Sequence, residues 1–306
     1  MPDPSFPFPE PAAGDPASLA DVVDALARSG DSLTRKPSGR PCPLPLPSRD
    51  ALASIAEDLR SCLFPGYFGN PEVRPDTLAF HLGSTLDRVS RELKEQVKRG
   101  ICFSLCPGGG PCPPCDPSAT AVVRAFLSRL PAVRALLASD VQAAFEGDPA
   151  ARSPDEAIFC YPGILAVTNF RLAHELHVLG VPLIPRILTE HAHGLTGIDI
   201  HPGATIQGRF LIDHGTGVVI GETSVVGQNV RIYQGVTLGA RSFPKDENGN
   251  PIKGIPRHPV VEDDVTIYSG ATILGRVRIG RGSVIGGNVW IMEDVPPEST
   301  VTQGGC

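Results

Sequence analysis

The 306-residue sequence predicts an α+β fold: an N-terminal α-helical domain followed by a left-handed parallel β-helix of hexapeptide repeats. Two observations carry this expectation. Between residues 48 and 196 apolar residues recur at helical spacing, as at Leu52, Ile55, Leu59 and Leu63. From Ile200 onwards they recur every six residues, which fits neither a strand's period of two nor a helix's 3.6. Composition agrees with a folded chain, at 41% hydrophobic and 20% charged residues. The net charge of −6 offers no basic field for nucleic acid. No apolar run reaches the ~18 residues that a membrane-spanning helix needs.

Residues 1–47 hold all eleven prolines found in the first fifty positions. This stretch is expected to be largely disordered, with one short helix near Ser18–Arg28 capped by Ser18. "MPDPSFPFPEPAAGDP" has neither the basic start nor the apolar core of a secretory signal, so a cytoplasmic location is expected. The helical domain spans 48–196. Ser48 is a candidate N-cap for "RDALASIAEDLRSCLF". "PDTLAFHLGSTLDRVSRELKEQVKRGI" is a second, longer helix. "ATAVVRAFLSRLPAVRALLASDVQAAFEG" is one or two more, broken near Pro131. "GILAVTNFRLAHELHVLG" ends at Gly180 and Pro182, and "IPRILTEHAHGLTG" is a short connector. His174 and His177, at helical spacing, are packing or interface residues.

The β-helix occupies 197–306. Hexads start at Ile200, Ile206, Ile212 and Val218, slip by two residues, and resume at Ile220, Val226, Ile232 and Leu238. After a loop they continue at Val261, Ile267, Ile273, Ile279, Ile285 and Ile291. Each hexad supplies a short strand and a corner, and three close one coil around a narrow aliphatic core. A β-sandwich would alternate by two instead.

A coil needs no Asp or His, so departures from the repeat point to function. One is the extruded loop at 241–259, which ends in Arg257 and His258. Another is Asp213-His214. Asp199 precedes His214 by fifteen residues, three short of an 18-residue coil, a spacing that permits contact without requiring it. If they meet, an imidazole that titrates near neutrality gains a carboxylate to orient it, the arrangement of a general base.

The segments Asp-Ile-His-Pro, Asp-His-Gly-Thr-Gly and Gly-Glu-Thr, then Arg-His-Pro after a loop, resemble serine O-acetyltransferase. The likeness runs from about Gly147 through almost the whole β-helix. It implies acetyl transfer from acetyl-CoA to the hydroxyl of L-serine, in the first step of cysteine biosynthesis. His214 matches the family's general base and Asp199 its orienting partner. Asp148 and Asp213 match the carboxylates that hold the substrate ammonium. Arg257 matches the residue that binds its carboxylate, with His258 beside it. Glu222 matches an active-site acid of open role. Gly239, Ala240 and Ser269 match the CoA-binding coil edge. The resemblance also implies a homotrimer or a hexamer of two trimers, with sites between neighbouring β-helices, and a reaction that needs no metal. The alternative is a hexapeptide acetyltransferase acting on a sugar or other hydroxylated acceptor. A β-helical carbonic anhydrase would need two histidines five apart, which are absent.

Two features depart from the family. Cys102, Cys106, Cys112 and Cys115 cluster at 100–117. They are either reduced thiols of a flexible loop, the preferred reading, or the ligands of a structural zinc. The sequence ends "VTQGGC", without the terminal isoleucine that many relatives insert into O-acetylserine sulfhydrylase, so that complex is not expected.

Overall fold

The computed structural model describes residues 18–29, 44–105, 115–242 and 244–303. Among the described residues seven helices come first: α1 (Leu19–Ser29), α2 (Arg49–Leu63), α3 (Leu78–Leu105), α4 (Cys115–Gly147), α5 (Pro154–Cys160), α6 (Pro162–Val178) and α7 (Ile184–Thr196). In α1, Ser18 and Asp21 cap each other's backbone N–H. Ser48 caps α2 by accepting the Ala51 N–H at 3.2 Å, and Leu52, Ile55, Leu59 and Leu63 are buried as their spacing requires. The other positions expected to be disordered (1–17 and 30–43) lie outside the described residues, as do Cys106, Cys112 and the thiol of Cys115. Cys102 is buried in the helical core.

The expected break at Pro131 does not occur, because α4 runs unbroken through it for 33 residues. Proline removes one backbone hydrogen bond. On either side of it Phe126, Leu130, Val133 and Leu137 are buried, and their packing carries the helix across.

The remainder is a β-helix with three walls, all paired in parallel. The first wall stacks β1 (Asp199–Ile200), β4 (Val219–Ile220), β7 (Thr237–Gly239), β10 (Thr272–Leu274) and β13 (Trp290–Ile291). The second stacks β2 (Thr205–Ile206), β5 (Val225–Val226), β8 (Val260–Val261) and β11 (Arg278–Ile279). The third stacks β3 (Leu211–Ile212), β6 (Arg231–Ile232), β9 (Thr266–Ile267), β12 (Val284–Ile285) and β14 (Thr300–Val301). The inward residue of each strand is the aliphatic one, and Val226, Ile232, Leu238, Ile267 and Ile273 are fully buried. Hexapeptide periodicity thus anticipates these strands with two corrections. Val218 opens no strand, although its side chain fills the corner before β4, and the final strand at Val301 is not in the periodic set.

The frame slip has a structural cause. Ile200 pairs with Ile220, twenty residues on, whereas Ile220 pairs with Leu238, eighteen on. The two extra residues enlarge the corner Asp213–Gly217, where His214 adopts φ 56° and Gly215 φ 84°.

Helices and coils share one continuous core. Their joint is a buried ion pair. Arg171 of α6 donates from Nε and Nη2 to both oxygens of Asp140 on α4, at 2.7 and 2.9 Å. It also donates to the carbonyls of Ile206 and Gln207, while Asp140 accepts the Phe210 N–H at 2.9 Å. The pair satisfies backbone groups at the corner between β2 and β3 that would otherwise be buried unbonded. Arg171→Met leaves Asp140 buried without its partner, so urea unfolding is expected to show a loss of about 3–5 kcal/mol. A loss below about 1 kcal/mol would contradict this role for the joint.

Candidate active site

Coil register decides which residues meet. On the corner where the third wall turns into the first, Asp213, Tyr233 and Tyr268 successively occupy one position, and His214, Gln234 and Ser269 the next. Tyr233 and Tyr268 stack with ring centroids 5.1 Å apart. The left-handed turn at His214 throws its imidazole outward, leaving the side chain 73% exposed, with Nε2 3.8 Å from the Asp213 carboxylate. Asp148, directly after α4, lies close enough for His214 to influence its charge. Its Oδ1 accepts the Ala150 N–H at 2.8 Å, and its Oδ2 accepts the Tyr161 hydroxyl at the start of α6. The Tyr161 bond, then Ala150, holds the Asp148 carboxyl below the ordinary range, so it is an anion with both oxygens anchored. Burial, then that bond, pushes the Tyr161 phenol upward, keeping it a proton donor.

Asp199 flanks the same corner. The Gly217 N–H donates to the Gly197 carbonyl at 2.8 Å, which lays the start of β1 beside the Asp213–Gly217 turn. The Asp199 carboxylate faces α7, with Arg186 3.9 Å away, and is not bonded to His214. Glu190, His193 and Asp199 form a cluster of metal-ligand type, but Arg186, 2.5 Å from Glu190, already supplies its positive charge.

The opposite corner, where the first wall turns into the second, holds the rest. Glu222 and Arg257 are thirty-five residues apart, the same offset that pairs Val226 with Val261, so they stack and form an ion pair at 2.6 Å. Burial would raise the Glu222 carboxyl, but the bond and charge of Arg257 outweigh it and hold it down. Thr223 and His258 share that offset. The Thr223 N–H donates to His258 Nδ1 at 3.1 Å, so Nδ1 carries a lone pair and Nε2 carries the hydrogen of the neutral ring. The imidazole lies against Gly221, where any Cβ would collide with it. Gly239 and Ala240 stand one coil beyond Gly221 and Glu222 on this edge, whereas Ser269 belongs to the His214 edge.

Thus one edge gathers Asp148, Asp213, His214 and Ser269, with Asp199 beside it. The other gathers Glu222, Arg257, His258, Gly239 and Ala240. Two participants had no sequence signal of their own. Tyr161 reaches Asp148 only through the packing of α5 and α6. Thr223 is legible only after the loop fixes the thirty-five-residue register. His174 packs against the coil, bonded to the Pro202 carbonyl, whereas His177 is exposed and lies edge-on to His201.

Burial first, then Arg257, pulls the His258 imidazole from its ordinary 6.5 down to about 4. Between those values the unfolded chain takes up a proton that the folded chain refuses, so stability falls as pH drops from 6.5 towards 4. His177 and His201, also lowered chiefly by burial, act in the same direction. His258→Gln is expected to flatten this part of the stability curve. An unchanged slope in denaturant melts across that window would contradict a buried neutral His258.

The family model for bacterial transferase hexapeptide (six repeats) matches residues 258–292. A plasmid-borne serine acetyltransferase of Synechococcus elongatus is 55% identical over 262 residues, covering 85% of this chain and 82% of the relative. The crystal structure of Entamoeba histolytica serine acetyltransferase 1 in complex with L-cysteine superposes with a TM-score of 0.71 at 36% identity, covering 83% of this chain and 98% of that one. A serine acetyltransferase in complex with CoA superposes with a TM-score of 0.52 at 26% identity, covering 81% of this chain and 96% of that one. With that identity sustained over most of both sequences, the chain belongs to the serine acetyltransferases.

Proposed function

We propose that the protein transfers the acetyl group of acetyl-CoA to the hydroxyl of L-serine, giving O-acetyl-L-serine and CoA, the step that commits serine to cysteine. Acetyl-CoA is the co-substrate. The observation that carries the residue assignment is the charge division of the coil. One edge presents the anions Asp148 and Asp213 beside an exposed histidine, and the other presents Arg257 with an N–H donor. An amino-acid zwitterion needs both, and a sugar acceptor needs neither.

Asp148 and Asp213 hold the serine ammonium. Arg257, its fork steadied by Glu222, takes the carboxylate together with the His258 Nε2–H. His214 removes the hydroxyl proton as the oxygen attacks the thioester carbonyl. Once the ammonium engages Asp213, the exposed imidazole swings to Asp199, which fixes its tautomer and stabilises the imidazolium. Backbone N–H groups at Gly239–Ala240 meet the oxyanion. The proton on His214 then passes to the departing CoA thiolate.

The two edges bound one wall, and the residues from Val218 to Gly221 between them span ~13 Å when extended, far more than a serine molecule reaches. The site therefore closes between copies, one giving its His214 edge and the next its Arg257 edge. Repeated around a triangular coil, this head-to-side contact closes as a trimer. We place the reaction in the cytoplasm. No described helix is long and apolar enough to cross a membrane.

His214→Ala is expected to lower thiol release from acetyl-CoA and serine roughly a hundred- to ten-thousand-fold. Near-normal turnover would remove His214 from the base role, and a wild-type protein inactive with serine would sink the main reading. Mixing unfolded His214→Ala and Arg257→Ala chains in equal amounts and refolding them together is expected to restore about a quarter of wild-type activity, since one site in four then has both edges intact. No recovery, with mixed oligomers verified, would place the whole site within one copy.

A further inference from the structure

The corner after β4 carries a hydroxyl with every valence used. Thr223 Oγ1 accepts the backbone N–H of Arg257 at 2.9 Å and that of His258 at 3.1 Å. Both acceptor positions are filled, so its own proton is directed to His258 Nδ1, 2.9 Å away. The Thr223 N–H reaches the same nitrogen at 3.1 Å. One coil further, Arg276 donates from a single Nη1 to the carbonyls of Thr223 and His258, at 2.7 and 3.0 Å. Thr223, His258 and Arg276 occupy one position of three successive coils, so the backbone register holds all these contacts in line.

We propose that Thr223 is a positioning residue for the acetyl transfer: its hydroxyl latches the returning end of the extruded loop to the coil and, together with its backbone N–H, keeps His258 in the Nε2–H tautomer. The loop would otherwise deliver Arg257 and His258 from a hairpin whose central residues are exposed. With the latch closed, the only lone pair of His258 is buried against Thr223. His258 is therefore a neutral hydrogen-bond donor beside Arg257 and has no free nitrogen with which to act as a base. That leaves proton removal to His214. Gly221 completes the seat, because the imidazole occupies the space of a Cβ there. The inference rests on the reading of Arg257 and His258 as the carboxylate-binding pair, and it has a readout that is independent of that reading.

The readout is the pair of imidazole 15N shifts of His258 in the full-length protein labelled with 15N-histidine, assigned by the signals missing from His258→Asn. In the wild-type protein Nε2 is expected to be protonated and Nδ1 bare; the reverse pattern overturns the proposal without any activity measurement. Thr223→Val removes the hydroxyl and keeps the shape. It is expected to move the Nδ1 shift, since that nitrogen then keeps only the Thr223 N–H as a donor, and to raise the KM for serine roughly tenfold, as the loss of a buried hydrogen bond would. The KM for acetyl-CoA should stay within about twofold. Thr223→Ser restores both, which a purely steric role for the threonine methyl would not allow. A Thr223→Val protein with wild-type shifts and wild-type serine KM refutes the latch. If the shifts move but neither Thr223→Val nor Arg257→Lys alters the serine KM, the latch stands and the carboxylate assignment falls.

Discussion

The fixed register of parallel coils is the constraint on which everything else depends. Each inward Ile, Val or Leu must stack on the one below it, because a displaced aliphatic would leave a void in a core one side chain wide. Once that column is set, every other position of the coil is stacked as well. Glu222 meets Arg257, and Thr223 meets His258, without evolving any separate contact between strands: the offset that aligns Val226 with Val261 aligns them too. The loop between β7 and β8 lengthens the chain but cannot alter which residues end up in line. The scaffold thereby converts two rigid edges into places where charge can be held to fractions of an ångström.

Where that register is violated, the violation has a use. The corner Asp213–Gly217 is two residues longer than its counterparts one and two coils on, and it is the only part of the first coil that projects a histidine in left-handed conformation. A tighter corner would have turned His214 along the wall. The helical domain supplies the other half of this edge, since Asp148 and Tyr161 belong to α4 and the start of α6. They are held against the coil by the Arg171–Asp140 pair, which satisfies backbone groups on the coil itself. Breaking the joint would therefore affect the edge that carries Asp148 as well as stability.

Much of this was legible in the sequence, for physical reasons that also explain the gaps. A hexapeptide period identifies the coil because few folds need an aliphatic residue every six positions, and it anticipated thirteen strand positions from Ile200 to Ile291. It misjudged Val218, since a buried corner residue is as apolar as a strand residue. The same slip misplaced the Asp199–His214 comparison, which assumed eighteen residues per coil where twenty occur. Pro131 was misread because local propensity knows nothing of the packing on both sides of α4. Asp213, His214 and Arg257 stood out as departures from the repeat, whereas Glu222 was marked only by the family resemblance. Tyr161 and Thr223 did not, because a tyrosine before a helix and a threonine at a corner are ordinary in themselves. Only their partners, 13 and 35 residues away, give them a role.

The division of charge between the two edges also bears on selectivity. An acceptor bound by its hydroxyl alone would be positioned by one contact and free to rotate. An amino acid held by anions at one end and by a guanidinium fork at the other has its hydroxyl direction set before reaction, and pre-paid orientation of this kind lowers the barrier. The neutral state of His258 matters here. A second cation beside Arg257 would strengthen the grip on any carboxylate, including those of larger acids, and would oppose Arg257 electrostatically. A neutral N–H donor adds direction without adding charge, so the edge proposed to bind the carboxylate would respond to its geometry and not simply to negative charge. Burial of the imidazole against Gly221 and the Thr223 contacts sustain that neutrality together. In the proposed reaction the corner that looks like a plain repeat of the coil thus sets acceptor recognition, while the distorted corner moves the proton.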